Sequence, residues 1–153
     1  MWSRSDTRGR RAGFTLIELI VVIAIIATLA SVVGPSIFGN VGEARASAAK
    51  SQVQIFALAL DSYRLDNDYY PTSDQGLESL RTVPLSGDPA KNWRGPYLRQ
   101  AVPMDPWGRP YFFMSPGLVN TQSYDLYSLG RDGKPGGAGE DADITSWNGA
   151  VRQ

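Results

Sequence analysis

From Phe14 to Val33 the chain is almost wholly apolar, and that run limits what the rest can become. At ~1.5 Å rise per residue a helix of this length spans about 30 Å, the thickness of a hydrocarbon core. The preceding residues are polar and basic (Arg4, Arg8, Arg10 and Arg11, opposed by Asp6), which predicts a cytoplasmic N-terminus and an exported remainder. Gly34-Pro35 then interrupts the apolar helix, because Pro35 removes a backbone hydrogen bond and Gly34 loosens the same turn.

The 153 residues suffice for an anchor plus one small domain. Lysine plus arginine and aspartate plus glutamate balance at 15 each, so no global field draws the chain to nucleic acid, and none is expected as a partner. With no cysteine, a small exported domain is held by packing, a metal or assembly rather than by disulfides. With no histidine it lacks the commonest general base and the commonest transition-metal ligand, and no arrangement of carboxylates, serines or lysines reads as catalytic; the chain is not expected to be an enzyme.

A second helical pattern follows the anchor. Ala49, Val53, Phe56, Leu60 and Tyr63 recur at steps of three and four, one face of a helix. Ala44 to Ala49 has high helix propensity, so both segments are expected to form one long helix with a weak point near Pro35 that ends between Asp66 and Pro71. Thr72 to Gln75 can cap a short helix through Leu80. Tyr111 to Met114 and Tyr124 to Leu129 read as strands around Ser115-Pro116-Gly117. Gly130 to Asp143 is glycine-rich and acidic, and Ile144 to Trp147 follows it. Trp93, Trp107, Tyr111, Phe112 and Phe113 are expected to cover a small core, and Arg94, Arg99 and Arg109 to face solvent or neighbouring subunits.

At the head of the apolar run Gly13 precedes Phe14, and Glu18 lies one turn further on. A conventional export signal is cut after its apolar region, next to small residues. Here the glycine comes before it, so cleavage between Gly13 and Phe14 would discard the basic leader and keep the helix. Glu18 has two readings. It is a boundary charge that snorkels to water, or it pairs with the new amine at Phe14 of a neighbouring copy, strongly enough in low dielectric to select register.

Gly13-Phe14-Thr15-Leu16-Ile17-Glu18-Leu19 resembles the leader junction of type IV pilins and pseudopilins. The resemblance implies cleavage after Gly13 by a prepilin peptidase and N-methylation of Phe14. Tyr69 to Thr72, Gln75 to Leu77, Asp105-Pro106-Trp107-Gly108-Arg109-Pro110-Tyr111, Leu129 to Lys134 and Gly136 to Trp147 resemble the major pseudopilin family of type II secretion systems. What that implies is an α+β pilin-like fold, a long N-terminal helix packed on a small antiparallel sheet. It also implies a leader (1–13), a transmembrane and filament-core helix (14–38) and a periplasmic domain (39–153) with a calcium loop near its C-terminus. The expected role is structural: a single-pass inner-membrane subunit that assembles into a helical filament with minor pseudopilins on an inner-membrane platform and helps export folded proteins. Glu18 and Pro35 would serve assembly. The alternatives are a type IV pilus subunit, which commonly carries a C-terminal disulfide that this chain cannot make, and a monomeric membrane-anchored periplasmic binding protein.

Calcium takes six to eight oxygens from carboxylates and backbone carbonyls. By position, the resemblance implies side-chain ligands Asp132, Asp141 and Asp143 and the carbonyls of Leu129 and Lys134, with the division between Asp141 and Asp143 left open. Glu140 and Asp125 lie nearby in sequence, and the glycines at 130, 133, 136, 137 and 139 let the loop turn tightly. Asp132-Gly133-Lys134 starts no EF-hand, since the alternating acidic ligands are missing. Gly133-Lys134 is no P-loop, since Pro135 stands where a hydroxyl residue is required.

Overall fold

The computed structural model describes residues 13–85 and 90–147, without the side chains of 32–40. The chain divides into two compact units, Met1–Gly39 and Asn40–Gln153. Helix α1 runs Leu16–Asn67. Its backbone is continuous through the Gly34-Pro35 step, as expected of one long helix: the hydrogen bond that Pro35 cannot make leaves the flanking turns bonded. Residues 1–12 of the expected leader lie outside the described set, as does the side chain of Pro35.

Thr15 starts α1. Its Oγ1 accepts the Glu18 N–H at 3.3 Å, while the Glu18 carboxylate accepts the Thr15 N–H at 3.4 Å. This reciprocal capping box satisfies two of the amides that a helix N-terminus leaves without partners, and it places an anion at the positive end of the helix dipole. In the first unit apolar side chains are exposed all round the helix, from Leu16 at 78% and Ile20 at 53% to Leu29 at 62%. Among the described residues no helix is long and apolar enough to cross a membrane. The run expected from Phe14 to Val33 reaches into the 32–40 stretch whose side chains are not described.

In the second unit α1 becomes one-sided. Ala49, Val53, Phe56, Leu60 and Tyr63 are buried, as their spacing predicts, against Leu77, Leu80, Leu98, Tyr111, Tyr124 and Leu126. The helix stops at Asn67. Asp68 adopts a left-handed φ of 70°, and the Asn67 amide group donates to the Tyr63 carbonyl at 2.9 Å. Thr72 and Gln75 cap one another through their side chains, after which the expected short helix is a single 3₁₀ turn, Leu77–Leu80. Strands β1 (Phe112–Met114), β2 (Asp125–Ser128) and β3 (Ile144–Thr145) form an antiparallel sheet in the order β1-β2-β3. Phe112 pairs with Tyr127 in register and stacks on it at 5.0 Å, and Trp147 meets Tyr127 edge-on. Of the aromatics expected over the core, Tyr111 is in it and Trp93 and Phe113 pack against it, whereas Phe112 lies on the outer face.

Burial pushes the phenols of Tyr63, Tyr111 and Tyr124 up to about 12, with smaller contributions from Tyr69 and Tyr97, from Asp105, and from Asp61 and Tyr70 respectively. The folded chain therefore keeps protons that the unfolded chain gives up near pH 10. Their stabilisation is complete below pH 10 and is lost as pH rises towards 12. Melting midpoints of the detergent-solubilised chain should be flat from pH 7 to about 9 and fall steeply above pH 10. The Tyr63 hydroxyl is buried with no hydrogen-bond partner among the described residues. Tyr63→Phe should therefore cost less than about 1 kcal/mol or stabilise, and it should flatten the alkaline fall. Phe56→Ala should cost about 3–5 kcal/mol in denaturant titrations.

Candidate functional site

The C-terminal loop connects β2 to β3. It is built on a buried hydrogen-bonded corner. Asp105, 4% exposed, accepts the N–H groups of Trp107 at 3.0 Å and Arg109 at 2.8 Å through one oxygen. Its other oxygen accepts the Ser128 hydroxyl at 2.6 Å. The Asp-Pro-Trp-Gly-Arg turn is thereby fixed to the end of β2. Arg109 then reaches across, donating to the carbonyls of Gly130 at 2.7 Å and Arg131 at 2.8 Å. That corrects its expected place among the solvent-facing arginines: a planar fork aimed at two carbonyls is a structural tie. Aspartate at the start of a tight turn was a readable signal for this corner.

The loop closes on itself at several points. The Arg131 N–H donates to the Glu140 carbonyl at 2.9 Å. Gly130, at φ 63°, lies so close under this strand of chain that an added Cβ would stand 2.6 Å from the Ala142 carbonyl oxygen. Gly137, at φ 85°, is similarly crowded by the Asp141 carbonyl. A 3₁₀ turn, Gly139–Asp141, carries Glu140 over Gly42 of α1, where a side chain on residue 42 would overlap the Glu140 carboxylate.

The acidic residues take different partners. Asp132 accepts the Lys134 N–H at 3.0 Å, and Asp143 accepts the Gly136 N–H at 2.8 Å. Asp141 presents both oxygens to Arg131, at 2.8 and 3.0 Å. Asp125 accepts instead from the backbone N–H groups of Val119 at 2.8 Å and Asn120 at 3.0 Å. Burial raises its carboxyl, but donors at Val119 and Asn120 outweigh that and hold it below the ordinary carboxylate range. Among the described residues no group of three or more aspartates or glutamates is placed to hold a metal ion. Asp132, Asp141 and Asp143 therefore share one loop without converging. The donor chemistry still suits a hard cation at Asp132 and Asp143: both are carboxylates, each accepts a main-chain N–H through one oxygen, and the carbonyls of Leu129 and Lys134 lie in the same loop.

At the other end, Gly13 and Phe14 precede the capping box, and Phe14 is 83% exposed. Glu18 was singled out in the sequence for its charge. Its bonds to Thr15 were missed, although Thr-x-x-Glu before an apolar run is the capping-box pattern.

An antiparallel three-stranded sheet, a long helix buried on one side and an apolar helical stem define a pilin-like α+β subunit. Residues 36–147 match the family model for type II secretion system (T2SS) protein G, and residues 8–34 match the prokaryotic N-terminal methylation motif. The type II secretion system core protein G of Pseudomonas aeruginosa is 43% identical, over 92% of this chain and 98% of the relative. That of Vibrio cholerae is 44% identical, over 91% and 93%. A crystal structure of the major pseudopilin from the type 2 secretion system of enterohaemorrhagic Escherichia coli superposes with a TM-score of 0.60 at 38% identity, covering 72% of this chain and 92% of that one. The chain belongs to the type II secretion system protein G family, a family of structural pseudopilin subunits. The type IV pilus alternative is not favoured.

Gly130→Ala should cost at least about 1–2 kcal/mol, the penalty of a left-handed φ, because the carbonyl above it also blocks the methyl group. Denaturant midpoints check this. Gly136→Ala shares the positive φ but meets nothing within 4 Å, so it should cost less.

Proposed function

We propose that the chain is the major subunit of a type II secretion pseudopilus. It waits in the inner membrane with Phe14 to Val33 spanning, and a prepilin peptidase removes residues 1–13 and leaves a methylated amine at Phe14. The observation that carries this reading is the stem of α1, exposed and apolar on every side and headed by one acid. A helix apolar all round is stable only inside lipid or among other helices. Subunits that exchange lipid for one another's stems through a head-to-tail contact that does not close make a helical filament. Minor pseudopilins and an inner-membrane platform would start and drive it.

Glu18 does two things in this account. In the single subunit it caps its own helix. In the filament it meets the Phe14 amine of a neighbour, which fixes the axial step. Glu18→Ala removes both roles, whereas Thr15→Ala removes the cap and keeps the acid. Thr15→Ala loses about 0.5–2 kcal/mol of capping, and Glu18→Ala loses the reciprocal bond to the Thr15 N–H. Glu18→Ala should insert in the membrane normally yet give no filaments by electron microscopy, while Thr15→Ala should still assemble. Normal filaments from Glu18→Ala, or equal loss from both variants, would remove the intersubunit pairing.

Asp132, Asp143 and the carbonyls of Leu129 and Lys134 would hold a calcium ion, which would shape the loop against β3 and supply a cross-link that a chain without cysteine lacks. At free calcium ten times the dissociation constant, binding would add about 1.4 kcal/mol. Melting of the detergent-solubilised chain should shift upward from chelator to calcium. Identical midpoints would take the metal out of the account.

A further inference from the structure

Two guanidinium groups tie the loop between Gly130 and Asp143. Arg109 satisfies the carbonyls of Gly130 and Arg131. Arg131 forks onto both oxygens of Asp141, at 2.8 and 3.0 Å, and approaches the Glu140 carboxylate at 3.6 Å. The main chain ties the same two limbs together where the Arg131 N–H meets the Glu140 carbonyl. An exposed ion pair alone contributes little. A two-toothed fork is more directional, and here it works beside a main-chain bond and a glycine with no room for a side chain. The loop thus has two halves. One, 130–131 with 140–141, is held by arginines. The other, 132–136 with 143, carries main-chain bonds from Lys134 to Asp132 and from Gly136 to Asp143 and no arginine fork among the described residues.

We propose that Arg131 is the loop's built-in cation: it latches the 130–131 limb to the 140–141 limb through Asp141, and Asp141 serves that latch rather than calcium. This rests on the calcium reading of Asp132 and Asp143 given above. It assigns the two halves of the loop to two different cations, one covalently part of the chain and one exchangeable. Removing calcium then loosens 132–136 while the arginine limb stays closed.

The test uses the full chain in detergent, stripped of metal, with two readouts. Calorimetric titration with calcium chloride compares the wild type with Asp132→Asn and Asp141→Asn. Hydrogen–deuterium exchange over residues 130–142 in chelator compares the wild type with Arg131→Ala, Arg131→Lys and Asp141→Asn. Asp141→Asn should leave the calcium dissociation constant within about threefold, while Asp132→Asn weakens it at least about tenfold, or 1.4 kcal/mol. In chelator Arg131→Ala and Asp141→Asn should raise exchange of 130–131 and 140–142 by about tenfold, with Arg131→Lys between them and the wild type because it keeps the charge and loses the fork. Equal loss of calcium binding from Asp141→Asn and Asp132→Asn would make Asp141 a metal ligand and overturn the proposal while leaving the calcium reading intact. Unchanged exchange in Arg131→Ala would overturn the latch. A wild type that takes up no calcium would end the calcium reading, and the exchange measurements would still decide the latch.

Discussion

An acid at the head of an apolar helix needs something positive nearby; Glu18 has one such partner in the single chain and is proposed to gain a second on assembly. In the single chain the positive end of α1 and the Thr15 amide meet it. These are partial charges, enough to hold a carboxylate at a helix terminus in contact with water. They would be weak compensation if the stem left lipid headgroups for a bundle of other stems, as proposed, where a bare carboxylate costs much more. The amine that cleavage at Gly13 would create is a full charge one turn away in sequence. The proposed route from membrane to filament follows from that change of partner.

The second unit depends on a different constraint. With no disulfide to close it, the long connection from α1 to the sheet is held by buried side chains and a few committed polar groups. Phe56, Leu60 and Tyr63 supply the apolar surface. Asp105, nearly buried, supplies the corner that joins the Trp107 turn to Ser128. Arg109 carries that corner onward into the C-terminal loop. The hydrogen-bonded corner therefore extends, through one aspartate and one arginine, to the carbonyls of Gly130 and Arg131 beside the proposed ion site.

Much of this was legible in the sequence. The buried face of α1 followed from spacing at three and four, and the helix end at Asn67 from its stop signals. Both long strands were found with ends trimmed by a residue, because pairing rather than propensity sets where a strand stops. One long helix through Pro35 was legible too, since the apolar and amphipathic patterns adjoin and a proline in a long helix can be carried by neighbouring turns. The traffic of charges in the loop was not legible. Spacing puts Asp132, Asp141 and Asp143 in one segment, but only geometry shows that Arg131 takes Asp141 and that Arg109 points inward. A side chain's choice among partners depends on which carbonyls and carboxylates the backbone turns bring within reach.

The proposed second role of Glu18 requires that the native molecule carry a cation at residue 14. Mass spectrometry of the N-terminal peptide from chain purified out of its own membrane tests this directly. The expected peptide begins at Phe14 and carries an added methyl group on its amine. A peptide that still contains the residues before Phe14 would contradict it, because no amine would then exist for a neighbour's Glu18 to meet.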